Sequence, residues 1–168
     1  MGADVTGLGF DPVAEARRNW ERHGWTAIDA MSAATSITRA HQIVLARINE
    51  ALAPFGLTFS RFEALALLHF TRTGALPLGK MGQRLQVHAA SVTNTVDRLE
   101  LDGLVERRPH PDDGRTTLAS ITDAGRSTVE AAAEALGAIA FGLAGDQPVD
   151  FVSIDAELRP LRRNAGDF

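Results

Sequence analysis

The chain has 168 residues, a formal net charge of −4 and no cysteine. Its length suits one domain with a sizeable core, and the lack of cysteine excludes a disulfide framework and a thiolate metal site. No apolar run approaches the ~20 residues that span a bilayer, and residues 1–10 lack the basic and apolar segments of a secretory signal. We therefore expect a cytoplasmic protein with no membrane partner.

Two helical patterns open the chain. Asp11 as N-cap and Pro12 at the first helical position begin the first pattern, which stops near Gly24. The second begins after Trp25 and lasts to about Ala53. Its seam alternates at steps of four and three, the heptad spacing of a long helix packed on another helix. The residues of this heptad seam are Ala27, Met31, Ala34, Thr38, His41, Leu45, Ile48 and Leu52.

Three shorter helical patterns follow. The first starts at Ser60, with Glu63 placed for a capping box. The other two, Leu78–Leu85 and Ala89–Leu101, are separated by a turn too short for anything but a sharp corner. Helix, tight turn and helix, followed by a hairpin, is the layout of a winged helix-turn-helix, which places one helix in the major groove of DNA.

The second helix of this pair has two distinct faces. Val92, Val96 and Leu99 recur at i, i+4 and i+7, so they form an apolar stripe that faces the core. The opposite side carries small or hydrogen-bonding side chains, which permit close approach to base edges and phosphates. An ordinary solvated face is the alternative for this helix taken alone. The predicted DNA contacts of the helix are His88, Ala90, Ser91, Thr93, Asn94 and Arg98.

A hairpin pattern comes next, with strands at 104–108 and 116–121. Residues 112–114, Asp-Asp-Gly, have the chemistry of a hairpin tip. We expect Pro109 and Pro111 to keep the tip from pairing further. The hairpin would form the wing.

The wing carries the remaining predicted DNA contacts. Arg115 lies just past the turn, where an arginine can enter the narrow minor groove. Asp113 is expected to support it as a bidentate partner, with a weak surface ion pair as the alternative. Arg108 is expected to face phosphate. Residues 78–117 hold six basic and six acidic residues, so there is no strong basic patch, and affinity should depend on dimerisation and on salt.

The C-terminal part is predicted to be helical. Thr122 and Asp123 cap a helix that runs to about Leu143, and 148–163 form a last short helix. A helix of ~27 residues extends ~40 Å, more than one small domain covers. We therefore assign the helices at both ends of the chain to dimerisation, with an intramolecular bundle as the alternative. The predicted division is 1–57 for the N-terminal and long helices, 58–121 for the winged helix-turn-helix and 122–168 for the C-terminal dimerisation helices.

Four stretches together resemble the MarR family of transcriptional regulators. They are 87–99, GLVERR at 103–108, DGR at 113–115 and ITDAG at 121–125. The resemblance implies a mainly α fold with a small β-hairpin wing, and a homodimer that binds double-stranded DNA and responds to a small anionic or phenolic effector. His88 and Asn94 depart from the family, which often has serine and arginine there.

The additional N-terminal helix, with Trp20 in it, is similar to the urate-responsive PecS branch of that family. The ligand pocket of that branch uses a tryptophan, an acid on the third helix and two arginines. Trp20, Glu63 and Arg107 match three of these positions, and Thr95 stands where the other arginine would be. The resemblance implies an effector site at the three matching residues. The alternatives are a helix-packing aromatic for Trp20, a capping-box residue for Glu63 and a pair with a neighbouring acid for Arg107. His41 on the heptad seam is a further candidate, with an interface histidine as the alternative.

The sequence contains no catalytic constellation. Gly7-Leu8-Gly9 lacks the third glycine and the βαβ unit of a dinucleotide site, and the five histidines have no ligand spacing. We predict no enzyme activity, no cofactor and no metal site. The predicted function is a ligand-responsive repressor that binds an inverted-repeat operator as a homodimer. The alternative is a dimeric interaction module on a winged-helix fold that has lost sequence-specific DNA binding.

Overall fold

The computed structural model describes residues 8–111 and 113–168, without the side chain of Arg115. The chain forms two compact units, one that ends at Arg47 and one from Ile48 to Phe168. The fold is mainly α-helical with a small antiparallel sheet, as predicted. Among the described residues, no single helix is both long and apolar enough to cross a membrane.

The first unit begins with α1 (Pro12–Arg22). The carboxylate of Asp11 caps this helix by accepting a hydrogen bond from the N–H of Val13 (2.8 Å), and Pro12 occupies the first turn, as the sequence predicts. Helix α2 (Ile28–Leu52) also begins in this unit. Ala27, in a left-handed conformation (φ 57°), makes the bend before α2.

The two tryptophans of the chain lie where these two helices are joined, Trp20 in the last turns of α1 and Trp25 in the connection to α2. The indole N–H of Trp20 donates to the carbonyl of Thr26 (3.1 Å), and the ring of Trp25 packs edge-on against that of Trp20, with centroids 4.5 Å apart. Arg17 forms an ion pair with Asp29 (2.7 Å). These contacts join the end of α1 to the start of α2.

The second unit contains the rest of α2, a short 3-10 turn at Ala53–Phe55 and five further helices. They are α3 (Phe59–His69), α4 (Leu78–Leu85), α5 (Ala89–Leu101), α6 (Asp123–Ala138) and α7 (Phe151–Asn164). The bounds of α4 and α5 are those predicted from the sequence.

Two predicted helix ends are wrong. Helix α3 is capped by Thr58, whose hydroxyl accepts from the N–H of Arg61 (3.4 Å), so Glu63 lies too far into the helix to form a capping box with Ser60. Helix α6 ends near residue 138 and not at Leu143, because Phe141 and its neighbour take left-handed backbone conformations that an α-helix cannot continue through.

The sheet has three strands in the order β1-β3-β2. Strand β1 (Ala75–Pro77) was not predicted. Strands β2 (Val105–His110) and β3 (Asp113–Ile121) form the wing, and both are longer than predicted. The expectation that Pro109 stops the pairing is wrong, because it faces Thr117 in the ladder. As an edge strand, β2 tolerates a proline, whose missing N–H can point away from the sheet.

The core of the second unit lies where α3, α5 and α6 meet the sheet. Leu65, Leu99 and Leu136, one from each helix, are fully buried, and Val105 of β2 is 2% exposed. Each such side chain contributes ~1.5–3 kcal/mol by leaving water. The buried face of α5 is therefore fixed, which determines the face that it turns to solvent.

Candidate nucleic-acid interface

Gly82 and Gln86 set the sharp corner between α4 and α5. A Cβ on Gly82 would lie 3.2 Å from the carbonyl oxygen of Val87 and 3.3 Å from a methyl group of Val92, so a larger residue would require these neighbours to move by a few tenths of an ångström. Gln86 ends α4 in a left-handed conformation (φ 54°). The chain turns within three residues and presents the N-terminal end of α5 at the surface.

The two faces of α5 are those predicted from its periodicity. Val92, Val96 and Leu99 are 2%, 0% and 0% exposed. The predicted contact residues on and before α5 are all exposed, and we call this set the reading face. It consists of His88, Ala90, Ser91, Thr93, Asn94 and Arg98.

The side chains of the reading face differ in how they are engaged. Thr93 donates its hydroxyl proton to the carbonyl of Ala89 (3.1 Å), so its oxygen is left to accept a hydrogen bond. His88 is the N-cap residue of α5 by its backbone, but its ring makes no capping hydrogen bond. Within the described part of the chain, Asn94 and Arg98 have no hydrogen-bond or ion-pair partner. These two polar side chains can reach a ligand without breaking a contact.

The predicted residues of the wing differ in their contacts. Arg108 is exposed and forms an ion pair with Glu106 on the same strand. The carboxylate of Asp113 accepts a hydrogen bond from the hydroxyl of Thr116 (2.7 Å). The side chain of Arg115 lies outside the described residues, so its support by Asp113 stays a prediction.

Arg107 connects the wing to α5. Its guanidinium, 24% exposed, pairs with Asp97 and Glu100, both on α5. The backbone N–H of Arg107 also donates to the Glu100 carboxylate (3.1 Å). Partial burial alone would lower the pKa of Arg107, but the two carboxylates outweigh it and the net shift is upward. A bidentate arginine held by two acids fixes the strand to the helix in one geometry.

The sequence assigned Arg107 to effector binding, with a pair to a neighbouring acid as the alternative, but it did not indicate that such a pair joins the wing to α5. The signal was present, since Asp97 and Glu100 are three residues apart on one side of a helix. Their distance in sequence from Arg107 concealed the contact.

The four predicted effector residues are divided between the two units. Trp20, half-buried, and His41, exposed on α2, belong to the first. Glu63 and Arg107 belong to the second. The effector site therefore stays a prediction.

A cavity of about 370 Å³ lies between α3, α4 and α5, inside the second unit. Its walls are partly apolar and partly polar, and Glu63 stands at its rim. The carboxyl is open to solvent on one side, while the surrounding atoms partly desolvate it and raise the pKa of Glu63. The lining residues are Ser60, Glu63, Ala64, Met81, Leu85, Val87, Ser91, Val92, Asn94 and Thr95.

The chain is similar in sequence to known proteins. A profile of the MarR family matches residues 57–117. YhbI, an HTH-type transcriptional regulator of Bacillus subtilis, is 31% identical over 116 residues, which cover 68% of this chain and 70% of that protein. MhqR of the same organism is 33% identical over 53% of this chain, and the match covers 60% of MhqR, less than two thirds of its length.

Similarity to a solved structure extends further. Sco5413, a MarR family transcriptional regulator from Streptomyces coelicolor, is 53% identical, with a TM-score of 0.77 over 84% of this chain and 99% of that one. A helix-turn-helix whose second helix is fixed to a β-hairpin defines a winged-helix DNA-binding protein. With the sequence matches, the chain belongs to the MarR family of transcriptional regulators.

Proposed function

We propose that this chain is a ligand-responsive repressor that binds an inverted-repeat operator as a homodimer. The observation that supports the proposal is the reading face of α5. This face is exposed and carries mostly short side chains, and Arg107 joins its helix to the wing. Short side chains allow the helix backbone to approach base edges closely, and Asn94 is able to make a bidentate contact with adenine. A structure of AbfR bound to DNA, at 21% identity, has the same fold.

Surface apolar residues support the dimer. On α2, Ile37 and Ile43 are 41% and 51% exposed in the single chain, and on α7 Phe151 is 47% exposed. Apolar area of this kind, on helices outside the winged-helix core, favours a second copy as partner. A two-fold dimer would contact half-sites about 10 bp apart.

We also propose that a small anionic or phenolic effector releases the DNA, with Trp20, His41, Glu63 and Arg107 as candidate contacts. A structure of CouR from Rhodococcus jostii RHA1 contains p-coumaroyl-CoA. In this chain an anion that engages Arg107 must compete with Asp97 and Glu100. Such competition would loosen the wing from α5, so binding of the anion and of DNA would oppose each other.

The test is a gel shift with the DNA upstream of the chain's own gene, together with light scattering. We expect a dimer at micromolar concentration that prefers an inverted repeat to random duplex. Asn94→Ala should lose ~1–3 kcal/mol of discrimination at one base step. Arg115→Ala should weaken binding and remove any preference for A·T at the wing contact.

Arg18→Ala, an exposed arginine on α1, is the matched control and should bind as the wild type does. A monomer would refute the interface assignment. Equal affinity for the inverted repeat and for random duplex would favour a protein-interaction module.

A further inference from the structure

The cavity between α3, α4 and α5 has an unbalanced charge. Of the described residues that line it, Glu63 is the only one that ionises near neutral pH. Arg61 and Arg98 line the adjoining groove and not the cavity, and Arg61 is already paired with Asp102 (3.4 Å). Within the described residues, Glu63 has no ion-pair partner. A bound cation would stabilise the charged form of a carboxylate that is partly desolvated and has no counter-charge.

Part of the cavity lining is apolar. Met81 and Val92 are buried, with 0% and 2% exposure, and Leu85 extends the same wall. Ser60, Asn94 and Thr95 add neutral hydrogen-bonding groups to the lining. A ligand that matches this lining has an apolar body and one positively charged, hydrogen-bond-donating end.

We propose that this cavity binds a small organic amine, with the ammonium group at Glu63 and an apolar body against Met81, Leu85 and Val92. A carboxylate of the same shape is repelled at the same place. This assignment takes Glu63 out of the candidate contacts of the anionic effector, while Arg107, which does not line the cavity, remains one of them. Since α5 forms one wall, an amine bound here touches the helix that carries the reading face. That regulatory consequence rests on the proposed function, whereas the binding itself does not.

Three ligands that share one body and differ in charge test the proposal: 4-phenylbutylamine, 4-phenylbutan-1-ol and 4-phenylbutanoate. Calorimetric titration of the full chain at pH 7 should give the order amine, alcohol, carboxylate. We expect the amine to bind at least ~10-fold more tightly than the alcohol, the advantage of a charge-assisted hydrogen bond over a neutral one. Glu63→Gln should abolish this advantage and leave the alcohol unchanged.

Glu134→Gln is the matched control, because it makes the same change at an exposed position on α6 and should not alter the order. Thr95→Lys, which places a cation in the cavity wall, should also remove the preference for the amine. Circular dichroism confirms that each variant is folded.

Three results would overturn the assignment. The first is an absence of binding by all three compounds at millimolar concentration. The second is an amine affinity that Glu63→Gln does not change. The third is a carboxylate that binds as tightly as the amine and competes with it. A gel shift with and without the amine is a separate arm. If the amine binds but does not change the gel shift, the cation site stands and only its regulatory role is refuted.

Discussion

Gly125, the third residue of α6, lies against the backbone of Leu104 and leaves no room for a side chain. A Cβ at this position would lie 2.8 Å from the side chain of Ile121 and 3.1 Å from the carbonyl carbon of Leu104, with the carbonyl oxygen nearer still. Leu104 lies in the connection between α5 and β2, so α6 packs directly against the link from this helix to the wing. We expect Gly125→Ala to destabilise the fold.

The sign of the effect results from two opposing terms. In an unobstructed helix, alanine is favoured over glycine by ~1 kcal/mol. Overpacking costs ~1–3 kcal/mol, and the upper end applies because a backbone carbonyl cannot rotate away as a flexible side chain can. The expected net loss is ~2 kcal/mol, which for a chain of this length lowers Tm by ~4–8 °C.

Thermal and urea unfolding at equal protein concentration, followed by circular dichroism, measures this loss. Gly137→Ala is the control, since the same substitution in the same helix meets nothing within 4 Å and should be neutral or stabilising by up to ~1 kcal/mol. If Gly125→Ala unfolds at or above the wild-type temperature, α6 does not pack against Leu104 as described.

Three further changes have defined outcomes. Thr122→Val removes a hydroxyl that accepts from the N–H of Gly125 (3.0 Å) and donates to the carbonyl of Gly103 (2.9 Å), and should cost ~1–2 kcal/mol in urea unfolding. Arg107→Lys keeps the charge but loses the bidentate geometry, so operator affinity in a gel shift should fall while most of the stability remains; unchanged affinity would mean that the wing needs no fixation. Partial desolvation raises the pKa of the otherwise exposed Glu63, so the stability that its protonated form contributes is present at low pH and is lost as pH rises through the pKa of the folded state. Glu63→Gln should therefore raise the free energy of unfolding at pH 7 but not at pH 3. An equal gain at both pH values would contradict a raised pKa of Glu63 as its cause.

Strong local patterns predicted the helix-turn-helix correctly. The bounds of α5 followed from its apolar stripe and from the short corner before it, because both signals lie within a few residues. Asp11 as N-cap and Pro12 at the first helical position identified the start of α1 for the same reason.

The remaining errors come from features that depend on distant residues. Strand β1 has three residues, too few for a period of two to show, and it exists because Ala75 pairs with Ser120. The wing was predicted too short because a proline excludes a central strand, whereas Pro109 lies in an edge strand. The pairing of Arg107 with Asp97 and Glu100 joins two elements across the fold, which sequence spacing does not report.

The tryptophan pair has a spectroscopic consequence. The chain contains two tryptophans and no tyrosine, and Trp20 and Trp25 both lie in the first unit, with their rings in contact. Intrinsic emission therefore monitors that unit, whereas far-ultraviolet ellipticity is dominated by helices of the second. Denaturation curves from the two signals coincide if the units melt as one cooperative block and separate if they do not. The comparison of the two curves thus measures, without any added label, how strongly the two units are coupled.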